Sequence, residues 1–164
     1  MGSKVTIKGA DFTLNGIISG VLTFYNDYSD AVLQGSTTFS SANAFYILAS
    51  DLSRVNLSGK TVRYVKIYAV TAGTIQIGTY SGSGTNISDE HNYQVTQGIN
   101  IITLVNPITI DATHLPVFKG NGILRYWNDA DDSHGWKTNR ISGTASSYVN
   151  MRFPWSFGAI VAPQ

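Results

Sequence analysis

Short runs in which apolar and polar residues alternate make up most of the chain. In "TVRYVKIYAV" and "GTIQIGTY" apolar side chains recur at every second position over much of the run, and turn-forming residues bound each segment. A period of two places alternate side chains on one face of a strand, so the pattern predicts half-buried β-strands. Roughly ten to twelve such segments, spaced about 8–12 residues apart, indicate an all-β sandwich or barrel.

The predicted strands extend along the whole chain, and only "ASDLSRV" is expected to form a short helix or helical turn. The segments expected to contain strands are "KVTIKG", "DFTLNGI", "SGVLTFYNDYSD", "STTFSS", "AFYILAS", "TVRYVKIYAV", "GTIQIGTY", "NYQVTQ", "NIITLVNPITI", "LPVFKG", "GILRYWN" and "SYVNMRFPWSFGAIVA". By contrast, "GTYSGSGTNISDEHN" (Gly78–Asn92) has the Gly-, Ser- and Asn-rich composition of a long exposed loop.

Glycines are spread through the predicted turns, and we find no linker between domains. We therefore expect a cloning scar at residues 1–3 and one domain over residues 4–164. Because antiparallel strands joined by short turns bury their apolar faces against a second sheet, the expected fold is a single antiparallel β-sandwich of jelly-roll type.

The low charge of the chain narrows the classes of partner. Charged residues make up 13% of the chain and the net charge is +1. Nucleic acids are not expected as partners, because binding their phosphates requires clustered Lys and Arg. Lys60, Arg63 and Lys66 instead fall along one alternating strand, at positions that should face solvent. Cysteine is absent, which excludes thiol catalysis, zinc–thiolate sites and disulfides. No apolar run approaches the ~20 residues of a membrane span, so membrane insertion is not expected.

The stretch "RYWNDADDSHGWKTNR" (Arg125–Arg140) concentrates chemistry that the strands lack. It contains two of the three tryptophans of the chain. If these lie in a loop, their flat faces can pack on the apolar C–H face of a sugar while neighbouring polar groups bind its hydroxyls. The expected ligand-binding residues are Tyr126, Trp127, Asp129, Asp131, Asp132, His134, Trp136 and Arg140. The alternative is that one or both tryptophans fold back to cover the end of the sandwich.

The same stretch resembles a calcium-binding loop only in part. Asp129, Asp131 and Ser133 occupy the first three odd positions of an EF-hand loop. His134 stands where that loop needs a glycine, and Arg140 stands where it needs a bidentate glutamate. An EF-hand is therefore excluded. No cofactor is expected, with a looser structural calcium ion at Asp129, Asp131 and Asp132 as the alternative to an Asp-rich turn.

No catalytic residues are predicted. The chain has no G-x-S-x-G elbow, and His91, His114 and His134 share no motif. A glycosidase needs two carboxylates at a set separation, which sequence spacing alone does not reveal, and Glu90 is the single glutamate. A glycan-active enzyme domain with carboxylates distant in sequence remains the least favoured alternative.

A family likeness supports the binding hypothesis. "ADFTLNGI", "LSGKTVRYVKIYAVTAGTIQIGTY" and "YQVTQGINIITLVNPITIDATHLPVF" resemble β-sandwich accessory modules found beside hydrolases and in tail or surface proteins of gut bacteria and their phages. The resemblance lies in Thr71–Thr74, the Ile-x-Ile-Gly run Ile75–Gly78 and the turn Thr96–Asn100, and it covers roughly residues 55–125. Such modules are similar to carbohydrate-binding modules, which implies glycan attachment without catalysis.

The combined expectation is a non-catalytic glycan-binding module of a surface, secreted or virion protein. Its partner would be a glycan or cell-surface polysaccharide, and its location the extracellular space, the cell surface or the virion. The main alternative is a structural or assembly module of a phage tail, fibre or capsid. In that case the chain would form a homo-oligomer, with exposed aromatic residues in the subunit interface.

Overall fold

The computed structural model describes residues 4–7, 10–13, 20–40, 43–83, 86–141 and 151–161. In these residues strands dominate, accompanied by the short helix α1 (Asp30–Leu33) and two 3₁₀ turns (Ala49–Asp51 and Asp132–His134). The strands are β1 (Lys4–Ile7), β2 (Ala10–Thr13), β3 (Val21–Phe24), β4 (Thr37–Thr38), β5 (Ala44–Ile47), β6 (Thr61–Ala69), β7 (Gly73–Tyr80), β8 (Ile87–Val95), β9 (Gly98–Thr109), β10 (Leu115–Lys119), β11 (Arg125–Asn128), β12 (Trp136–Ile141), β13 (Met151–Phe153) and β14 (Ser156–Val161).

The strands form two large antiparallel sheets, as the alternating pattern predicts. One sheet has eight strands in the order β4-β11-β13-β12-β5-β10-β7-β8, and the other has four in the order β3-β14-β6-β9. Strands β1 and β2 form a separate antiparallel pair. The all-β sandwich is therefore confirmed, while the jelly-roll type stays a prediction. In the described part of the chain no helix is long and apolar enough to cross a bilayer.

The core lies between the two sheets and is filled by the apolar positions of the alternating runs. Val65 and Ile67 of β6 are fully buried on one side, and Ile75 and Ile77 of β7 on the other. Aromatic rings join the sheets, since the ring of Phe118 on β10 lies 5.9 Å from that of Phe157 on β14. Burial of each such side chain contributes about 1.5–3 kcal/mol, so the sandwich needs no covalent crosslink.

The turn from β8 to β9 is formed by Thr96–Asn100, which has the pattern Thr-x-Gly-x-Asn. The Asn100 amide group accepts a hydrogen bond from the Thr96 N–H at 3.0 Å and donates to the Thr96 carbonyl at 2.8 Å. Gly98 adopts a φ of 105°, which a residue with a side chain rarely adopts. This turn carries the chain from the edge strand of one sheet, β8, to the edge strand of the other, β9.

A β-bulge interrupts the pairing of β7 with β8. Ile77 pairs with His91 and Thr79 with Ser88, so Asp89 and Glu90 together lie opposite Gly78. Asp89 takes a left-handed φ of 49°, a conformation that aspartate tolerates better than most residues. A Cβ at position 78 would lie 2.8 Å from the Ser88 carbonyl oxygen, so glycine is required opposite the bulge.

Two segments differ from the sequence-based expectation. The predicted loop Gly78–Asn92 is largely wrong, because β7 continues to Tyr80 and β8 begins at Ile87. Part of "RYWNDADDSHGWKTNR" also forms a strand, since β12 begins at Trp136. Glycine and serine content pointed to a loop at the first place and Asp-rich polar composition at the second, but ladder hydrogen bonds to neighbouring strands override these local preferences. The cloning scar expected at residues 1–3 falls outside the described residues, so it stays a prediction.

The expected helical turn at "ASDLSRV" is confirmed by the 3₁₀ turn Ala49–Asp51. Helix α1 was not expected. It begins after Ser29, whose hydroxyl accepts a hydrogen bond from the Val32 N–H at 3.4 Å, and it buries Leu33 completely. A four-residue helix of this kind depends on packing rather than on helix propensity.

Candidate functional site

The stretch Arg125–Arg140 is part of the eight-stranded sheet and does not project as a free loop. It consists of β11, the 3₁₀ turn Asp132–His134 and most of β12. Strand β13 lies between β11 and β12 and pairs with both, so the turn spans the end of a three-stranded unit.

Trp136 lies in the hydrophobic core. Its relative exposure is 0%, and its ring centre lies 5.5 Å from that of Phe153 and 5.5 Å from that of Trp155. Because Trp136 is the first residue of β12 and faces the core side of the sheet, it is shielded from any ligand in solution. The expectation that Trp136 packs on a sugar is wrong for this reason, and the alternative of a lid over the core describes it correctly.

Trp127 is half-buried and is held by two contacts within the protein. Its indole N–H donates to the Val32 carbonyl of α1 at 2.8 Å. The His134 ring stacks on it with a centre-to-centre distance of 4.2 Å and an interplanar angle of 18°. His134 is in turn 2.9 Å from Asp129, measured from Nδ1 to Oδ2. Trp127, His134 and Asp129 thus form a chain of contacts, in which the imidazole covers one face of the indole and the carboxylate binds the imidazole.

The remaining acidic residues of the stretch bind protein groups. Asp131 caps the 3₁₀ turn by accepting a hydrogen bond from the Ser133 N–H at 2.9 Å, and this bond lowers the pKa of its carboxyl group. Asp132 forms an ion pair with Arg152 of β13, whose side chain is only 2% exposed. The guanidinium of Arg152 also donates to the Ala130 carbonyl at 3.2 Å.

Asp51 and Arg54 complete the attachment of the turn to the sheet. Arg54 donates to Asp51 at 2.8 Å, to the Asp132 carbonyl at 2.9 Å and to the Gly135 carbonyl at 2.7 Å. Asp51 also accepts from the Lys137 N–H at 2.5 Å. Burial raises the pKa of Asp51, but the hydrogen bonds from Arg54 and the Lys137 N–H outweigh it, and the net pKa is lowered. We call Asp51, Arg54, Asp132 and Arg152 the charged latch.

The expected ligand-binding residues therefore do not form an open site. Tyr126 packs against the core, with its ring centre 5.8 Å from that of Phe153. Arg140 lies in β12, and its side chain is outside the described residues. The three carboxylates of the calcium alternative, Asp129, Asp131 and Asp132, each have protein partners of their own. In the described ranges no three His, Cys, Asp or Glu side chains are grouped so as to hold a metal ion.

A different part of the molecule forms a concave site. Where the edge strands β8 and β9 face each other, the space between the sheets opens to solvent as a cleft of about 320 Å³. Its apolar surface comes from both sheets, namely from Ile77 on β7 and from Leu104, Pro107 and Ile108 on β9. We call it the edge cleft. Its volume is at the lower end of the range for small-molecule sites, about 300–1,000 Å³.

Three polar side chains line the edge cleft without a partner among the described residues. The side chains of Asp89, His91 and Asn106 form no hydrogen bond or ion pair with the described part of the chain. The bulge orients Asp89, and His91 pairs with Ile77 across β7 and β8. Tyr93 bridges the two sheets, because its hydroxyl oxygen accepts a hydrogen bond from the Val105 N–H at 3.1 Å. Polar groups beside an apolar surface suit a ligand that has both kinds of surface.

A further polar side chain, that of Asp111, lines the cleft from the connection between β9 and β10. Asp111 accepts hydrogen bonds from the Thr113 hydroxyl and the Thr113 N–H, both at 2.7 Å, and lies 3.1 Å from His114 Nδ1. These bonds, led by the Thr113 hydroxyl, lower the pKa of Asp111 to about 2. The carboxylate is therefore ionised at neutral pH and is unsuited to act as a general acid, which requires a raised pKa.

Comparison of the chain with protein-family models, curated proteins and solved structures finds no match, so the edge cleft has to be interpreted from its own geometry. The residues of this cleft were not predicted as a site. The alternation of His91, Tyr93 and Val95 is the signal that could have placed them on one strand face. That His91 and His114 line the same cleft depends on which strands form the two sheet edges, and spacing in the sequence does not encode that.

Proposed function

We propose that the protein is a non-catalytic binding module that recognises a small polyhydroxylated group, such as one sugar unit of a glycan, in the edge cleft. One observation carries the proposal: apolar residues of both sheets line the same cleft as the side chains of Asp89, His91 and Asn106, which have no partner in the described part of the chain. A sugar ring has an apolar C–H face and hydroxyl groups that donate and accept hydrogen bonds, so it complements such a lining. In line with the resemblance, the module would belong to a surface, secreted or virion protein.

The lining also favours binding over catalysis. Hydrolysis of a glycosidic bond requires one carboxyl group that is protonated near neutral pH, whereas the pKa of Asp111 is about 2. Asp89 and Asp111 are the carboxylates that the described lining supplies. Their roles in binding would be to accept hydrogen bonds from ligand hydroxyls, which are strong bonds when the acceptor is ionised.

The test combines a glycan array with titration calorimetry on matched histidine variants. The wild-type protein should bind at least one glycan, and His91→Ala, in the cleft, should weaken that binding about tenfold or more by removing a hydrogen-bonding group. His134→Ala, which alters the stretch Arg125–Arg140 instead, should leave the affinity unchanged while both variants stay folded by circular dichroism. Absence of binding across the array, or sensitivity to His134→Ala alone, would overturn the proposal.

An assembly role has one specific observation in its favour. Val21, on the edge strand β3 of the four-stranded sheet, is 58% exposed, and Ile160, on the adjacent strand β14, is 47% exposed. Exposed apolar side chains beside an unpaired strand edge are available for contact with a second copy of the chain. Light scattering would detect a homo-oligomer, and Ile160→Asp should dissociate it. Quenching of tryptophan fluorescence would not distinguish a monomer from an oligomer, because Trp136 and Trp155 are already buried within one chain.

A further inference from the structure

The charge of the edge cleft restricts the kind of sugar that it can accept. Among its described lining residues, the side chains that carry a formal charge at neutral pH are those of Asp89 and Asp111, and no lysine or arginine is present. The fixed charges of the lining, those of the two carboxylates, are therefore both negative. A cleft with charge of one sign and apolar walls concentrates ligands of the opposite sign.

The bulge separates two adjacent carboxylates into different environments. Glu90 lies 2.6 Å from Lys119 Nζ and forms an ion pair with it. Lys119 belongs to β10, which flanks β7 on the side opposite β8. Asp89, the other bulge residue, lines the cleft and has no such partner in the described part of the chain. The nearby lysine is thus used by Glu90, and the charge of Asp89 remains available to a ligand.

The second carboxylate has a stable charge and a defined orientation. Asp111 is held by the Thr113 hydroxyl and N–H and lies 3.1 Å from His114 Nδ1. Because these donors favour the ionised form, the carboxylate keeps its negative charge at neutral pH. Asp111 and Asp89 approach the cleft from different segments, so their fields add within it.

We infer that the edge cleft selects a polyhydroxylated ligand that carries a positive charge, such as an amino sugar with a free ammonium group, over its neutral and acidic counterparts. This inference rests on the proposed function, since it names the ligand class of the same cleft. The hydroxyl groups and the ring bind as proposed above, and the ammonium group lies toward the carboxylates. A uronic acid of the same ring shape is repelled by both.

The experiment uses matched sugars that differ only in charge. Titration at about pH 7 and low salt would compare gluco-, galacto- and manno-configured sets, each with the neutral sugar, the 2-amino sugar, its N-acetyl form and the uronate. The amino sugar of at least one set should bind about tenfold more tightly than the neutral sugar, a size expected for one or two carboxylates near the surface. Added salt should reduce that preference.

Two carboxamide variants test the assignment to Asp89. Asp89→Asn should remove most of the amino-sugar preference while the neutral sugar still binds, because the side chain keeps its shape and loses its charge. Glu90→Gln is the control, since Glu90 pairs with Lys119 away from the cleft, and it should leave the preference intact.

The outcomes separate the two proposals. Binding of neutral sugar and amino sugar with equal affinity, or tighter binding of the uronate, would overturn the inference and leave the proposed function standing. A loss of preference in Glu90→Gln but not in Asp89→Asn would also overturn it. Failure of every sugar in every set to bind would overturn the proposed function itself.

Discussion

The stretch Arg125–Arg140 and the edge cleft differ in whether their polar side chains are bound by other parts of the protein. The first holds Trp127, Trp136 and several acidic residues within a short run, and nearly all of these groups contact other parts of the protein. The second is lined by residues of β7, β8, β9 and the connection from β9 to β10. At this opening between the sheets Asp89, His91 and Asn106 have no partner within the described ranges.

The difference shows that a concentration of polar residues does not by itself indicate a binding site. A buried or half-buried polar group must form hydrogen bonds within the protein, because an unsatisfied one costs about 1–3 kcal/mol. In the charged latch Arg54 and Arg152 bind backbone carbonyls and carboxylates of the same turn, although Nε and Nη1 of Arg152 have no hydrogen-bond partner among the described residues. A ligand site needs groups that are left unsatisfied at an accessible place, as in the edge cleft.

The largest expected effect comes from the two tryptophans of the stretch. Trp136→Ala should lower the free energy of unfolding by about 3–5 kcal/mol, because it removes a fully buried ring and leaves a cavity. Trp127→Ala should cost roughly 1–2 kcal/mol, for one hydrogen bond and one ring contact. Urea denaturation measures both. Equal and small losses would mean that Trp136 is accessible to solvent after all.

The same change from Asp to Asn should affect stability differently in the charged latch and in the edge cleft. Asp51→Asn should destabilise the protein by about 3 kcal/mol, because the buried Arg152 and Arg54 lose a shared carboxylate while Asp132 still pairs with Arg152. Asp89→Asn should change stability by no more than about 0.5 kcal/mol, since the side chain is exposed and has no partner in the part of the chain that the structure describes. If thermal or urea unfolding ranks these two variants in the reverse order, the contrast between the regions is wrong.

Acid should act on the latch more than on the cleft. The lowered pKa of Asp51 means that its stabilisation is complete above its ordinary pKa near 3.8 and is lost as the pH falls through the lower folded-state value. Urea midpoints measured from about pH 5 down to about pH 2 should therefore fall, and Asp51→Asn should flatten this profile. Asp111→Asn serves as the control. Its pKa is also lowered, to about 2, but its hydrogen bonds are exposed to solvent, and its removal should flatten the profile less.

The smallest effect concerns the backbone of the bulge. Asp89→Gly should raise the free energy of unfolding by about 0.5–1 kcal/mol, because glycine adopts the φ of 49° without strain. The same variant should weaken ligand binding, since the carboxylate is lost. Higher stability combined with weaker binding would mark Asp89 as a residue kept for function. A variant that is destabilised, or that binds as well as the wild type, would argue that Asp89 has only a structural role.

Much of the fold was predictable from local pattern. The alternation in β7 indicated that Ile75 and Ile77 share one strand face, and their relative exposure is 1% or less. Trp155 stands between Phe153 and Phe157 in an alternating run, a pattern that predicts an inward-facing side chain, and it is 1% exposed. Strand β12 was missed because Trp136, Lys137 and Thr138 do not stand out from the turn before them. Their strand conformation depends on pairing with β13 and β5.

The site was less predictable, because its residues come from separate segments. Asp89 and His91 lie on β8, Asn106 on β9 and Asp111 after it, and they share one cleft only because β8 and β9 are the edges of different sheets. Arg152 is likewise some distance along the chain from Asp132, yet it pairs with the carboxylate that the sequence suggested for a ligand. No local pattern reports such pairings.

The sequence by itself determined the class of fold, since a period of two in apolar residues is a local property that requires half-buried strands. It also determined the low charge and the absence of thiol chemistry. Only the tertiary structure decided which polar groups are satisfied and which remain available. That outcome depends on distances between residues far apart in the chain, and a hydrogen bond or ion pair forms only when sheet order brings both partners within about 3–4 Å. For this reason Trp136 lies in the core, and Asp89 lies at the opening where a ligand can reach it.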